Sequence, residues 1–468
     1  MKNKAFSLLS SSLIFIMMVV SVTFSVSASG DFVVHNGVLT EYRGTDKNIV
    51  IPAEVYYIAD SVFMNNKTVE SVDLNNVSVI GNEAFRGCTA LKKVTEYDGI
   101  TSCGAYAFWG TPFQNSYTGN ELVLGSVLIN SKAKGTYIIP SSVKSVAPYA
   151  FLNNEDITSV TIGQGISSVG EGAFYGCKNL KSVNCSSEVN YIGAFAFEGT
   201  SYLSSVSKEF LTLGNGILIK VTSSKTDIAV PSEVKQIGAG AFYNNTKVTK
   251  VTLPESVTGI GMRAFANCTS LKEINLPSGL VLLDKEAFSG CKALTYVTIP
   301  VSVQIVGDSV FFGCTGLKTA SYFSDADISR GLFANCTSLK CVRVSSVVDT
   351  VADLAFYNCA ELKELSLPGT VSNISDSAFD GAENLSVWTD SKSEAVSILK
   401  TLGIQSREIG DANGDGSFNI KDATEIQKAI AGMLSLDFSQ TLKADADFNG
   451  VVNIRDATWI QKRLAGIL

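Results

Sequence analysis

Between residues 50 and 390, apolar side chains return in a fixed order: an aliphatic pair, an Ala-Phe step, a Leu, then a Val-x-Leu stretch. Anchoring on phenylalanine gives three runs: Phe63, Phe85, Phe108; Phe151, Phe174, Phe197; and Phe242, Phe265, Phe288, Phe311, Phe333, Phe356, Phe379. Within each run the spacing is constant to within a single position. An aliphatic follows six positions later, as at Leu91, Leu180, Leu271 and Leu294, and another three beyond it, as at Val94, Val183, Ile274 and Val297. Such alternation predicts one short strand per repeat with its aliphatics turned inward. A proline often ends it, as at Pro254, Pro277, Pro300 and Pro368. A single coil cannot bury its own apolar side. Stacked coils can, each homologous residue lying about 4.8 Å from the next. The pattern therefore predicts thirteen coils with a parallel sheet.

Two intervals break the period and are nearly doubled: Phe108 to Phe151, and Phe197 to Phe242. Each carries a related module, and a third copy opens the repeats. Pro52, Pro140 and Pro231 mark equivalent points in the three copies. We read these modules as two-stranded excursions. The first is placed to cap an open sheet edge, where unpaired backbone groups invite aggregation.

The consensus IPxxVxxIGxxAFxxCxxLxxVxLP resembles the leucine-rich repeats of BspA-like bacterial surface proteins, over about residues 31–390. The resemblance implies a leucine-rich-repeat solenoid with a parallel β-sheet and a short helical or irregular convex side. It also implies a binding or adhesive role. We assign residues 29–390 to this solenoid and residues 391–409 to a capping helix and linker, the helix lying within 392–402.

Composition narrows the chemistry. The chain has 468 residues and a formal charge of −7, and its acidic balance argues against a nucleic-acid partner. His35 is the single histidine, which removes most chemistry that needs imidazole as base or ligand. Residues 1–28 read as a secretory signal peptide: Lys2 and Lys4, then apolar Leu8 to Val20, then small Val26-Ser27-Ala28 before the cut. The alternative is an uncleaved anchor, but the apolar run falls short of the ~20 residues a spanning helix needs. No later segment is long and apolar enough to span. The expected mature protein is secreted and extracellular.

Ten cysteines in an exported chain would ordinarily suggest disulfides. Seven of them, Cys88, Cys177, Cys268, Cys291, Cys314, Cys336 and Cys359, sit three positions after an anchor Phe. In the other coils that slot holds Asn66, Thr111, Asn154, Thr200, Asn245 or Ala382. A slot that accepts Cys, Asn, Thr and Ala asks for a small side chain at a turn, not a redox pair. We expect these thiols to be reduced and structural. Cys103, Cys185 and Cys341 lie off the frame.

Seven positions after the anchor, lysine recurs at Lys92, Lys181, Lys272, Lys318, Lys340 and Lys363. Outward neighbours such as Thr95, Ser182, Asn184, Thr252, Asn275, Thr298 and Ser366 are polar. This stripe could meet an anionic or polyhydroxylated ligand. It could equally be a solvated face, with Glu273 and Glu364 partly neutralising it, and we favour the latter. Only Tyr296 and Tyr322 offer aromatic surface near it.

After Trp388 the repeat stops. Two segments, DANGDGSFNIKDATEIQKAIAGML and DADFNGVVNIRDATWIQKRLAGIL, align without a gap, Asp411 falling on Asp445. Each opens with a twelve-residue loop. The first places Asp411, Asn413, Asp415, Asn419 and Asp422 at positions 1, 3, 5, 9 and 12, with Gly416 at 6; the second places Asp445, Asp447, Asn449, Asn453 and Asp456, with Gly450 at 6. Alternating oxygen donors curl around one hard cation, and the carbonyls of Ser417 and Val451 complete the shell. Two Ca2+ ions are expected. Position 12 is Asp where an EF-hand has Glu, and we expect no entering helix before either loop. The helices that follow carry apolar stripes, Ala423, Ile426, Ile430 and Ala457, Ile460, Leu464.

The tail, residues 410–468, resembles a type I dockerin, a small all-α module with two calcium loops that plugs cellulosomal proteins into cohesins on a scaffoldin. The resemblance implies a cohesin-facing surface of Ile420, Lys421, Gln427 and Lys428 and, in the second half, Ile454, Arg455, Gln461 and Lys462. Thr424 and Thr458 lie on the same repeated surface. Near-identity of the halves would let either helix lead. The expected function is a secreted, non-catalytic binding or adhesion protein held in a cellulosome-type complex. The alternatives are a polysaccharide-degrading component of polysaccharide catabolism, which would need paired carboxylates on a cleft, and an assembly or regulatory factor. No catalytic residue stands out.

Overall fold

The computed structural model describes residues 26–344 and 347–468. The expected export signal lies outside the described residues, apart from its last three. The chain divides into two units, residues 1–222 and 223–468.

In the first unit each coil contributes two short strands, and both form parallel ladders. On one side run Asn48–Val50, Ser71–Asp73 and Lys93–Thr95, then, after an interruption, Gly135–Ile138, Ile157–Ile162 and Ser182–Cys185. On the other side, two-residue strands follow one another: Tyr57–Ile58, Val79–Ile80 and Ser102–Cys103, then Ser145–Val146, Ser168–Val169 and Tyr191–Ile192. The sequence pattern predicts the first ladder only.

The excursions are antiparallel hairpins. Phe32–His35 pairs with Val38–Tyr42, Glu121–Leu124 with Val127–Ser131, and Phe210–Leu213 with Ile217–Val221. The inner strand of each of the first two continues into a two-residue ladder. Where a run of coils ends, a one-turn helix closes it: α1 (Pro112–Asn115) after the Phe108 coil and α2 (Ser201–Ser204) after the Phe197 coil. At the front, Tyr42 packs at 5.1 Å on Phe63 and Phe32 packs at 5.0 Å on Tyr42, so the first hairpin extends the aromatic column.

The second unit repeats the plan. Its long ladder runs through Tyr296–Ile299, Thr319–Tyr322, Cys341–Val344, Glu364–Ser366, Ser386–Thr389 and Gln405–Glu408. Residues 391–409 thus hold helix α3 (Ala395–Thr401) and one more parallel strand. Then come α4 (Ile420–Ile430), α5 (Phe438–Ala444) and α6 (Ile454–Leu464).

The anchor phenylalanines explain the period. They are buried and stacked ring on ring, 4.8 and 5.1 Å apart from Phe63 to Phe108 and 4.6 to 5.6 Å apart from Phe242 to Phe379. Backbone bonds run alongside the rings. The carbonyl of the residue before an anchor accepts the N–H of the previous anchor, as Ala287 does from Phe265 at 2.8 Å. Two positions after the anchor, the backbone is left-handed in all thirteen coils, and every such position is Gly or Asn. Those are the residue types that tolerate this conformation.

The cysteine slot carries a further regularity. Each slot thiol donates to the carbonyl of the anchor Phe one coil back: Cys291 to Phe265, Cys314 to Phe288 and Cys336 to Phe311, all at 3.2 Å. A first coil has no such carbonyl beneath it, and there the slot is Asn66, Asn154 or Asn245, whose side chain accepts from its own turn. Thr111 and Thr200 close their runs by capping α1 and α2. All ten cysteines are free thiols. Off the frame, Cys103 is buried, Cys185 is half-buried, and Cys341 is buried with its thiol 3.7 Å from the Glu364 carboxylate.

Candidate functional site

The tail is built from two superposable halves. Asp411 and Asp445 are buried, and each accepts the N–H of the loop glycine, Gly416 at 3.1 Å and Gly450 at 3.2 Å, on Oδ2. Asp422 and Asp456, also buried, accept backbone N–H groups from both ends of their loops: Asn413 and Asn419 in the first, Asp447 and Asn453 in the second. Asn413 accepts from Asp415 N–H, and Asp447 from Asn449 N–H. Asp415 and Asn449 in turn accept from Ser417 and Val451. Each of these backbone N–H bonds to a loop side chain recurs at the equivalent position of the other loop.

Asn419 and Asn453 do something the spacing does not predict. Each caps its helix, accepting from the N–H of Lys421 or Arg455 at 2.9 Å, while its amide donates to the carbonyl of Ser417 or Val451. Their oxygens are committed to the helix, so they would reach an ion through water.

The remaining oxygens fit a hard cation. One oxygen each from Asp445, Asp447 and Asp456 lies within 4.8 Å of the others. In the first loop, buried Asp411 Oδ1 has no hydrogen-bond partner. Burial pushes the Asp456 carboxyl up to about 7, and the charges of Asp447 and Asp445 add to the shift. Burial also raises Asp422, with Asp411 and Asp415 contributing. Carboxylates gathered this closely repel one another until a cation is placed among them.

Between the loops, α4 and α6 share a paired core: Ala412 with Ala446, Ala423 with Ala457, Ile426 with Ile460. Ile430 and Leu464, expected in the apolar stripes, are exposed instead. The predicted partner surface faces solvent in both halves: Ile420, Lys421, Thr424, Gln427 and Lys428, and Ile454, Arg455, Gln461 and Lys462 are exposed, with Thr458 half-buried.

A helix does enter the second loop, contrary to expectation. Helix α5 has a complete capping box, Asp437 accepting from Gln440 N–H and Gln440 Oε1 accepting from Asp437 N–H. The D-x-x-Q spacing was the available signal. This helix lies on the sheet strands Cys341–Val344 and Glu364–Ser366. Arg343 Nη2 stands 2.9 Å from Asp445 Oδ2, and Lys443 Nζ stands 2.9 Å from Glu364. Arg463 reaches both Asp390 and Glu408. Apolar contact comes from Phe438, Leu442, Phe448 and Trp459 against Cys341, Trp388 and Ile409.

The expected ligand stripe changes accordingly. Its six lysines are exposed, as are Ser182, Asn184, Thr252, Asn275 and Thr298. Ser366, expected outward and free, is buried, as are Ser321 and Arg343 in the same cross-strand row. Tyr322 points inward and donates to the carbonyls of Ala326 and Asp327. Exposed aromatics do occur elsewhere, one position after the anchor: Trp109 and Tyr175 in the first unit, and Tyr243, Phe312 and Tyr357 in the second. Among the described residues no helix is long and apolar enough to cross a membrane.

Stacked parallel coils followed by a duplicated loop-helix module define a leucine-rich-repeat protein with a docking tail. Residues 44–123, 130–217, 217–336 and 324–399 match the family model "BspA type Leucine rich repeat region (6 copies)", and residues 409–465 match "Dockerin type I domain". The chain belongs to the BspA type leucine-rich-repeat family and ends in a type I dockerin. Similar solved structures include the pneumococcal vaccine antigen PcpA, 19% identical, covering 82% of this chain and 96% of that one, with a TM-score of 0.34. A leucine rich cell surface protein from Faecalibacterium prausnitzii A2-165 is 24% identical, covering 80% and 93%, with a TM-score of 0.27. A leucine-rich repeat protein from Bacteroides ovatus is 19% identical, covering 83% and 98%, with a TM-score of 0.27. No protein of curated function matches the chain.

Proposed function

We propose that this chain is a secreted, non-catalytic binding protein whose tail plugs into a cohesin module when its two loops hold calcium. The loop carboxylates Asp411, Asp415, Asp422, Asp445, Asp447 and Asp456, with Asn413 and Asn449 and the carbonyls of Ser417 and Val451, would hold the two ions. Asn419 and Asn453 would contribute through water. Calcium supplies charge neutralisation and a fixed loop shape. The protein's own residues then present the two exposed faces around Lys421 and Arg455. The observation that carries this reading is the recurrence of the same backbone-to-carboxylate bonds in both loops, with Asp411 Oδ1 buried and unpartnered. A pull-down of the full chain on immobilised type I cohesins, with calcium and with chelator, tests it. Retention that survives chelation, or no retention by any type I cohesin, would overturn it.

The repeats are read as the contact surface for a second partner in a cellulosome-type assembly. A polysaccharide is one candidate ligand, favoured by the exposed aromatics that follow the anchors, Tyr243, Phe312 and Tyr357 among them. Binding of the full chain to insoluble polysaccharides, with Y243A and Y357A as comparators, tests that choice.

A further inference from the structure

The two halves of the tail differ at ten of 24 aligned positions, and three of those differences cluster in space. The alignment that sets Asp411 on Asp445 also sets Gly414 on Phe448, Glu425 on Trp459 and Ala429 on Arg463. All three second-half residues lie against the repeats or their last strand: Phe448 and Trp459 join the apolar cluster with Trp388 and Cys341, and Arg463 bridges Asp390 and Glu408. Their first-half counterparts do none of this. The symmetry of the module is broken where it meets the sheet, and only the second half is seated.

The seat reaches the second loop directly. Asp445, the opening carboxylate, is held on Oδ2 by Gly450 N–H and again by Arg343, whose Nε and Nη2 lie 3.2 and 2.9 Å away. Arg343 is itself buried in the sheet, its guanidinium over the Phe323 ring. Asp411 has the glycine contact alone among these. A partner that fixes one oxygen of a ligating carboxylate orients the other, and such outer contacts govern metal affinity.

We propose that seating of the tail on the repeat sheet and calcium binding in the second loop are reciprocally linked, with Arg343 as the positioning residue between them. The proposal rests on the calcium reading above. The seated tail is the form with higher affinity at the second loop. Calcium there in turn holds α5, Phe448 and Asp445 against strands Cys341–Val344 and Glu364–Ser366. By thermodynamic necessity the two effects are equal in size. The first loop, whose opening carboxylate has no partner on the repeats among the described residues, meets the seat only through Phe418 against Trp459 and is the weaker-coupled site. One consequence is a module mounted in a fixed orientation, both cohesin-facing surfaces outward, instead of one swinging on a linker.

The test uses the full chain, calcium titration by calorimetry, and hydrogen exchange read by mass spectrometry. D411N removes the first site, so that the remaining site reports the second loop. On that background R343Q should weaken calcium by about tenfold. R463A, which restores the first-half residue and lies away from the loops, should weaken it in the same direction through the seat alone. Chelation should raise exchange in Cys341–Val344 and Glu364–Ser366 while leaving the strands around Val251 unchanged. An R463A chain with unchanged calcium affinity, a tighter R343Q, or exchange indifferent to chelator would each overturn the linkage. If D411N and its parent bind no calcium at all, the calcium reading itself fails, which is a different result.

Discussion

Cys314 Sγ donates to the Phe288 carbonyl, 3.2 Å away and one coil back. The thiol therefore ties one coil to the next beside a column of stacked rings. Burial pushes Cys268, Cys314 and Cys359 up to about 12, and Cys291 and Cys336 well above the ordinary thiol range. Two consequences are measurable. At pH 8 these thiols should resist alkylation in the native chain and react on unfolding. Between pH 9 and 12 the unfolded chain releases thiol protons that the native chain keeps, so stability falls as pH rises, by on the order of 1 kcal/mol per thiol per pH unit. The C291A/C314A chain, allowed by the Ala382 precedent, should show a shallower decline in denaturant midpoint between pH 8 and 10.5. An equal decline in both chains would remove the thiols as its cause.

Phe288 is fully buried between Phe265 and Phe311, at 5.0 and 5.4 Å. Coils on both sides pack on it, so the cavity left by F288A cannot close from one side. We expect F288A to cost about 3–5 kcal/mol, read from denaturant unfolding. Gly290 sits two positions on, at φ +74°, where a Cβ would meet Asn267 Oδ1 at 2.5 Å. G290A should cost about 1–2 kcal/mol, whereas G279A, facing only ordinary contact distance at 3.7 Å, should be close to neutral. Equal effects at the two glycines would show that left-handed geometry is not what the slot selects.

The coil was legible because its slots are filled by chemistry that recurs: one ring, most often an Ala before it, one Gly or Asn after it. The second ladder was not, because strands such as Val79–Ile80 are two residues long and leave no alternation to read. Both loops were legible from spacing alone. The caps by Asn419 and Asn453 were not, since position 9 of a cation loop and the N-cap of a helix ask for the same side chain. The seat was half legible. Phe448, Trp459 and Arg463 stand out as departures from the duplication, but Cys341 and Trp388, which receive two of them, look like any other strand residues until the sheet is assembled.

Removal of calcium should act on the tail and the two strands it rests on, and spare the coils beyond them. One oxygen each from Asp445, Asp447 and Asp456 lies within 4.8 Å of the others, a repulsion that a cation relieves, whereas the Phe columns involve no ion. With chelator, the helical circular dichroism contributed by α4 and α6 should fall, while the sheet signal and the main thermal transition stay in place. A main transition that moved down by tens of degrees would mean that the ions support the repeats as well.

The exposed faces carry the last prediction. Lys421 and Lys428 on one half, and Arg455 and Lys462 on the other, all face solvent, and the seat covers none of them. Two equivalent faces on one module double the number of productive encounters, so losing either should lower cohesin affinity by only about twofold, or about 0.4 kcal/mol. Replacing all four removes every copy of the central charges and should cost about 2 kcal/mol or more, as truncation of interface anchors does. Surface-immobilised cohesin, titrated with K421A/K428A, R455A/K462A and the quadruple variant, separates the cases. If K421A/K428A alone abolished binding while R455A/K462A bound normally, the module would have one working face despite its duplication. The asymmetry at Phe448, Trp459 and Arg463, which ties the second half to the repeats, would then be the structural reason.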